Sequence, residues 1–131
     1  MNLGRMSKPE TNPGAAEPIR DCPFCRIAAG AAPAQIVFQD EEIVAFRDIH
    51  PQAPTHILLI PRRHIDSLGV ANSEDAVVLG RLMLAAAQIA RQERPADGFR
   101  VVINTGAGAG QSVFHLHLHL LGGRRMAWPP G

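Results

Sequence analysis

The chain has 131 residues, a length typical of one domain with a core of its own. Hydrophobic residues make up 46% of it and charged residues 19%, and the formal net charge is +1. This balance fits a soluble globular protein and lacks the basic surface that nucleic acids or anionic membranes attract. We therefore expect a small-molecule ligand, with neither a nucleic-acid nor a membrane partner.

The N-terminal segment differs in composition from the rest. Residues 1–20 carry Pro9, Pro13 and Pro18 among small and polar residues, without the continuous apolar stretch of a secretory signal. We interpret 1–20 as a flexible tail and 21–131 as the domain. A membrane span needs about 18 or more consecutive apolar residues, which the chain lacks, and these features predict a cytoplasmic protein.

The first half of the domain predicts a short helix followed by strands. In "CPFCRIAAG" (22–30) a proline near the start and a glycine at the end favour a helix of about two turns. Segments rich in Val, Ile and Phe predict three strands, at 35–40, 42–49 and 56–61. The acidic pair Asp40 and Glu41 reads as the turn of a hairpin between the first two.

The second half predicts one long helix and two more strands. Between residues 73 and 94 apolar side chains recur on one helical stripe, and Asn72 or Ser73 can cap its start. The stripe consists of Val78, Leu82, Ala85, Ala86 and Ile89. Strands are predicted at 99–105 and 112–121. Strands joined by short turns, with one long and one short helix, predict an α+β domain with a five-stranded, mainly antiparallel sheet.

The stretch "HLHLHLL" (115–121) holds half of the six histidines. In a strand, His115, His117 and His119 share one face and the leucines between them share the other, which can face the core. An incidental polar face would more often use Thr, Lys, Glu or Arg. A tri-histidine metal site is an alternative, but we prefer a neutral imidazole that attacks an electrophile and forms a covalent intermediate.

The residues just upstream indicate which electrophile. "GAGAGQS" supplies Gly106, Gly108 and Gly110, whose backbone N–H groups can approach an anion closely, followed by Gln111 and Ser112 as side-chain donors. A glycine-rich loop alone is more often just a flexible connection. Joined to a row of histidines, it favours phosphoryl or nucleotidyl transfer.

These residues resemble a known family. "HLHLHLL" matches the His-φ-His-φ-His-φ-φ motif (φ apolar) of the histidine triad (HIT) family, and "GQSVFHLHLHLLGGRRMAWPPG" is similar to its Hint branch, whose members end in a tryptophan, two prolines and a glycine. The resemblance extends through "FRDIHPQAPTHILLIPRRHI" and "FRVVINTG" and covers about residues 21–131. It implies a HIT-like fold and a homodimer in which two five-stranded sheets form one ten-stranded sheet.

The resemblance also implies roles for individual residues. It makes His117 the nucleophile that takes a nucleoside monophosphoryl group, which water then removes. The other catalytic positions it implies are His119, His115, His56 and Ser112. The implied nucleotide-binding positions are Phe24, Ile27, Phe46, Asp48, Ile49, Asn104, Gly110, Gln111, Ser112, Val113, His117 and His119. Among them, Asp48 matches the carboxylate that holds the ribose hydroxyls, and the aromatic and aliphatic residues match the walls around the base.

The activity implied by the Hint-like ending is that of a purine nucleoside phosphoramidase, which cleaves the P–N bond of AMP amides. Two alternatives stay open. One is a dinucleoside polyphosphate hydrolase, which is another activity of the family. The other is a regulatory nucleotide-binding module without catalysis.

The cysteine pair Cys22 and Cys25 allows several interpretations. A redox site of the glutaredoxin type needs an apolar strand directly before it, and here the preceding residues are polar and proline-rich. The two could also be small core residues. The resemblance implies a third possibility, a structural zinc ion bound by Cys22, Cys25, His64 and His115. Such an ion is not required for the chemistry.

Overall fold

The computed structural model describes residues 21–131, so the predicted tail at 1–20 lies outside the described residues. The helices are α1 (Pro23–Ala28) and α2 (Ala76–Glu93), and the strands are β1 (Ile36–Gln39), β2 (Ile43–Arg47), β3 (Thr55–Pro61), β4 (Phe99–Val102) and β5 (Leu118–Gly122). The strands form one sheet in the order β1-β2-β3-β5-β4, with every neighbouring pair antiparallel. This arrangement confirms the predicted α+β fold class.

Each face of the sheet carries a hydrophobic cluster. Because side chains alternate along a strand, β2 and β3 contribute to both. Helix α2 packs on the face that bears Ile43, Ala45, Ile57, Leu59, Leu116, Leu118 and Leu120. Helix α1 packs on the opposite face, which bears Val44, Phe46, Leu58 and Ile60. Among residues 21–131, no helix is long and apolar enough to cross a lipid bilayer.

Helix α2 buries the apolar side chains that the sequence predicts for its inner face. Leu82, Ala85, Ala86 and Ile89 are buried, and Val78 packs at the margin of the same cluster. The predicted cap is present at Asn72, whose side chain accepts the Glu74 N–H. Residues 73–75 form a 3₁₀ turn ahead of the α-helix, so the α-helix begins three residues later than predicted.

Strand β5 is shorter than predicted, because it begins at Leu118 rather than at residue 112. The register pairs Leu59 with Leu118, so Pro61 would stand opposite Leu116. Proline has no N–H to donate, and the Pro61 carbonyl bonds to the ring of His115 instead. The ladder therefore ends there, and His115 and His117 precede the strand although Leu116 is still buried in the core. Likewise, β4 ends at Val102 rather than at residue 105.

Candidate active site

His117 lies immediately before β5 and is buried on the α1 side of the sheet, with only 6% of its surface exposed. Its Nδ1 is 2.7 Å from the carbonyl oxygen of His115. A carbonyl only accepts, so Nδ1 carries the ring proton and Nε2 keeps its lone pair. Burial lowers the pKa of His117 below its ordinary value of 6.5. The side chain is therefore a neutral imidazole with Nε2 available as a nucleophile.

A second imidazole pair lies beside this nucleophile. The backbone N–H of Gln52 donates to Nδ1 of His56 over 3.0 Å, so the proton of His56 sits on Nε2. This Nε2 is 2.9 Å from Nδ1 of His119 and 3.4 Å from a carboxylate oxygen of Asp48. His119 thus accepts at Nδ1 and carries its own proton on Nε2. The ring centroids of His117 and His119 are 4.9 Å apart.

Both members of the pair are neutral at neutral pH. Burial is the main cause of the lowered pKa of His56, and Asp48 opposes it. Burial also lowers the pKa of His119, to about 4, with further lowering from the neighbouring imidazoles of His117 and His56. The site therefore places a lone pair on His117 next to an N–H donor on His119, which suits attack on an electrophile that develops negative charge.

The glycine-rich loop is held by Gln111, which is 2% exposed. Its side-chain oxygen accepts the Gly106 N–H at 2.9 Å, and its amide nitrogen donates to the carbonyls of Asp66 and Val113 at 2.8 and 3.1 Å. Gly106 and Gly110 have φ values of +89° and +96°, which glycine adopts without strain. Gln111 therefore shapes the loop from within, and its predicted contact with phosphate stays a prediction.

Three of the residues proposed around the base lie together. Phe24 and Phe46 meet edge to face with centroids 5.4 Å apart, and Ile27 packs at the margin of the same cluster. By contrast, Ile49 is 85% exposed.

The remaining predicted nucleotide-site residues lie around the glycine loop and strand β2. Val113 packs against the α1-side cluster, and the side chain of Asn104 lies beside Gly110, 3.4 Å from where a Cβ would stand. Ser112 is exposed at the end of the loop. Asp48, which follows β2, accepts the His50 N–H at 2.8 Å.

The four residues proposed as zinc ligands converge on the α1 side of the sheet. The donor atoms of Cys22, Cys25, His64 and His115 all lie within 4.8 Å of one another. The thiol of Cys22 is 3.3 Å from Nδ1 of His115, and the thiol of Cys25 is 3.3 Å from Nδ1 of His64 and 3.5 Å from Nδ1 of His115. Tetrahedral zinc would set sulfur and nitrogen ligands about 3.6 Å apart, which the cluster matches.

The outer nitrogens of both metal-site imidazoles have acceptors. Nε2 of His115 donates to the Pro61 carbonyl at 2.8 Å, and Nε2 of His64 donates to a carboxylate oxygen of Asp66 at 2.6 Å. Both rings therefore turn an unprotonated Nδ1 toward the thiols, as metal ligation requires. The donor set fits a structural zinc ion.

Several of these partners were missed by sequence reasoning. Asp66, the carbonyl of Pro61 and the N–H of Gln52 set the ring protons of three histidines. Asp66 could have been noticed as a carboxylate two residues after His64. The two main-chain contacts have no sequence signal, because every residue offers a carbonyl and nearly every residue an N–H.

Comparison with known proteins identifies the family. The sequence profile of the HIT domain matches residues 29–126. The chain belongs to the HIT family. An uncharacterized HIT-like protein of Synechococcus elongatus is 51% identical over 111 residues, which make up 85% of this chain and 97% of that relative. Protein HitA of Neisseria gonorrhoeae is 52% identical over 102 residues, or 78% of this chain and 95% of HitA.

A solved HIT structure has the same fold. The crystal structure of a HIT family hydrolase from Legionella pneumophila superposes with a TM-score of 0.82 at 50% sequence identity, and the match covers 85% of this chain and all of that one. The "HLHLHLL" motif lies within the matched HIT domain. The resemblance seen in the sequence is thus confirmed at the level of the family.

Proposed function

We propose that this HIT protein is a nucleotide-binding hydrolase, specifically a purine nucleoside phosphoramidase that cleaves the P–N bond of AMP amides. The observation that carries the proposal is the complementary protonation of two adjacent imidazoles. His117 offers a lone pair at Nε2, and His119 offers a proton at Nε2. The solved relative from Legionella pneumophila is named a hydrolase, which supports the reaction class.

The proposed reaction consists of two successive displacements at phosphorus. In the first, Nε2 of His117 bonds to phosphorus while the P–N bond to the amine breaks, and the amine leaves with a proton from solvent. The Nε2–H of His119 stabilises the developing charge on the leaving nitrogen and phosphoryl oxygens. In the second, water attacks phosphorus and the His117–phosphorus bond breaks. AMP leaves, and the proton of the water returns to solvent.

The remaining residues bind the nucleotide in this proposal. The carboxylate of Asp48 accepts from the ribose hydroxyls, and Phe46 and Ile27 flank the purine. Ser112 and the Gly108 N–H face the phosphate, whereas the predicted N–H donors of Gly106 and Gly110 already bond Gln111 and Ala107 within the loop. Asp48 lies 3.4 Å from Nε2 of His56, and this location beside the histidines supports the proposal that Asp48 binds the ribose.

We also propose that the protein binds a structural zinc ion and forms a homodimer. Zinc bound by the two cysteines, His64 and His115 supplies rigidity and no chemistry. Strand β4 is an edge of the sheet, with unpaired main-chain groups that can join a second copy into the ten-stranded sheet. The cytoplasmic location stays a prediction.

Trapping the covalent intermediate tests the function. We expect the protein mixed with an AMP amide and quenched in alkaline denaturant to gain the mass of one adenylyl group. His117→Ala should abolish this adduct and turnover while AMP binding is retained, because the lost group makes a bond only during reaction. His50→Ala, at an exposed histidine outside the imidazole pair, is the matched control and should behave as the wild type.

The same assay separates the alternatives. Absence of an adduct in the wild type together with tight AMP binding would assign the protein to the regulatory binding modules. Faster turnover of diadenosine polyphosphates than of AMP amides would assign it to the dinucleoside polyphosphate hydrolases.

A further inference from the structure

The first turn of α1, between the two proposed cysteine ligands, reaches the nucleophile. Phe24 lies between Cys22 and Cys25 in the chain, and its ring is 92% buried, with 8% exposed. The ring stands perpendicular to that of His117, at 90° and with centroids 5.1 Å apart. It also meets His115 edge-on at 6.0 Å. A residue fixed on both sides by metal ligands therefore packs directly against the attacking imidazole.

A second connection runs through His115. Its ring is held at both nitrogens, by the thiol of Cys22 at 3.3 Å and by the Pro61 carbonyl at 2.8 Å. Its own carbonyl accepts the Nδ1 proton of His117 at 2.7 Å. His115 is thus both a proposed metal ligand and the residue whose carbonyl fixes the proton of His117 on Nδ1.

The two contacts constrain different motions of the His117 ring. The hydrogen bond to the His115 carbonyl keeps Nδ1 of His117 facing the main chain. A ring rotated by half a turn would lose this hydrogen bond. The perpendicular Phe24 ring limits the tilt of the imidazole plane, as edge-to-face aromatic pairs prefer defined orientations. Together they point Nε2 in one direction, which a displacement at phosphorus requires.

We propose that the metal centre positions the nucleophile, with Phe24 as the positioning residue and the His115 carbonyl as the second restraint. Its catalytic consequence rests on the proposed function, whereas the restraint on the His117 ring does not. This role differs from that of a base-binding wall, which would act on substrate affinity. It also differs from purely structural zinc, whose loss would lower stability without changing the tautomer of His117.

The test compares Phe24→Leu with Ile60→Val in the zinc-loaded protein. Ile60 is fully buried in the same cluster as Phe24, so the control removes apolar volume there without removing the aromatic ring. Long-range ¹⁵N–¹H NMR of the histidine rings should show a single Nδ1–H tautomer for His117 in the wild type and in Ile60→Val. In Phe24→Leu we expect a mixture of tautomers at equal zinc content, because a ring that is free to tilt loses part of its hydrogen bond to the His115 carbonyl. Phe24→Met is a second variant that serves if the first folds poorly.

Kinetics provide an independent readout. Phe24→Leu should lower kcat for an AMP amide by about tenfold, equal to about 1.4 kcal/mol in the barrier, with KM changed less than about twofold. A rise in KM at unchanged kcat and an unchanged His117 tautomer would instead make Phe24 a base-binding wall and overturn the proposal.

Removing zinc from the wild type completes the test. Chelation should reproduce the tautomer mixture of Phe24→Leu if the metal centre restrains the ring. A single Nδ1–H tautomer in the chelated, folded protein would overturn the coupling. Absence of turnover and adduct in every protein would contradict the proposed function, and the NMR comparison would still decide whether His117 is positioned by the metal centre.

Discussion

At the scale of single residues, main-chain groups determine the protonation pattern of the site. His56, His115 and His117 each bond one peptide group, from Gln52, Pro61 and His115 respectively. A peptide N–H only donates and a peptide carbonyl only accepts, so each contact selects one ring tautomer. The pattern does not depend on a charged neighbour, and for His117 it lasts as long as the ring is held against the His115 carbonyl.

The pH response of His119 tests this pattern. Burial and two neighbouring imidazoles hold its pKa near 4, against an ordinary value of 6.5. Because the pKa is lowered, the neutral form persists as pH falls through 6.5, and protonation begins only near the folded-state value. Following the His119 ring protons by NMR should give a midpoint well below 6.5. A midpoint at or above 6.5 would contradict the buried, hydrogen-bonded pair with His56.

Protonation of His119 also has a consequence for stability. The unfolded chain takes up a proton near pH 6.5 and the folded chain near pH 4, so stability is complete above the first value and declines as pH falls toward the second. This decline should be smaller in His119→Gln, which has no imidazole to protonate.

The residue types of the site could be predicted from the sequence, and their partners could not. Alternation along "HLHLHLL" placed Leu116 and Leu118 in the core correctly, because the period of an extended chain is a local property. The tautomers of His56 and His117 depend on peptide groups brought close by tertiary structure. Only the fold reveals them.

At the scale of elements, the ends of strands and helices were harder to predict than their existence. The predicted fifth strand loses its first six residues because Pro61 on β3 cannot continue the ladder. Helix α2 was predicted well, since its apolar stripe and its cap are both encoded locally. Asn72 forms a capping box with Asp75, which also pairs with Arg63. The start of α2 is thereby tied to the segment that follows β3.

Removing this cap should destabilise the protein without affecting catalysis. Asn72→Ala deletes the acceptor for the Glu74 N–H, and we expect a loss of about 1 kcal/mol in the free energy of unfolding, measured by urea denaturation. Asn72→Asp keeps an oxygen acceptor and should retain most of the stability. Loss of kcat in Asn72→Ala at a temperature where it is fully folded would show that the cap has a role beyond stability.

At the scale of the whole molecule, the proposed zinc site joins segments that are distant in sequence. Its ligands come from α1 and its cap, from the segment after β3 and from the approach to β5, and they span residues 22 to 115. A metal ion that links distant segments stabilises the folded chain, because the unfolded chain offers no preformed binding site. The fold class was predictable from the order of the strands. The convergence of the four ligands followed only from resemblance, because spacing in sequence does not determine it.

Removal of the metal should therefore lower the melting temperature. If free zinc is about 100 times its dissociation constant, binding adds about 2.7 kcal/mol, which corresponds to about 10 °C for a domain of this size. Calorimetry with and without a chelator measures the difference. Cys22→Ser should melt lower from the outset and respond little to the chelator. An equal response of the variant and the wild type would argue against zinc at this site.

Under the proposed function, the order of the glycine-rich loop affects how tightly a phosphate group is bound. A glycine-rich loop taken alone is more often a flexible connection, but here the buried Gln111 amide bonds Gly106, Asp66 and Val113 at once. The conformational entropy of the loop is thus lost when the chain folds and not when a phosphate arrives. A loop that is already ordered would bind a phosphate more tightly than a loop that must become ordered on binding. The Gly106 N–H, which bonds the buried Gln111 side chain, should also exchange slowly with solvent in the ligand-free protein.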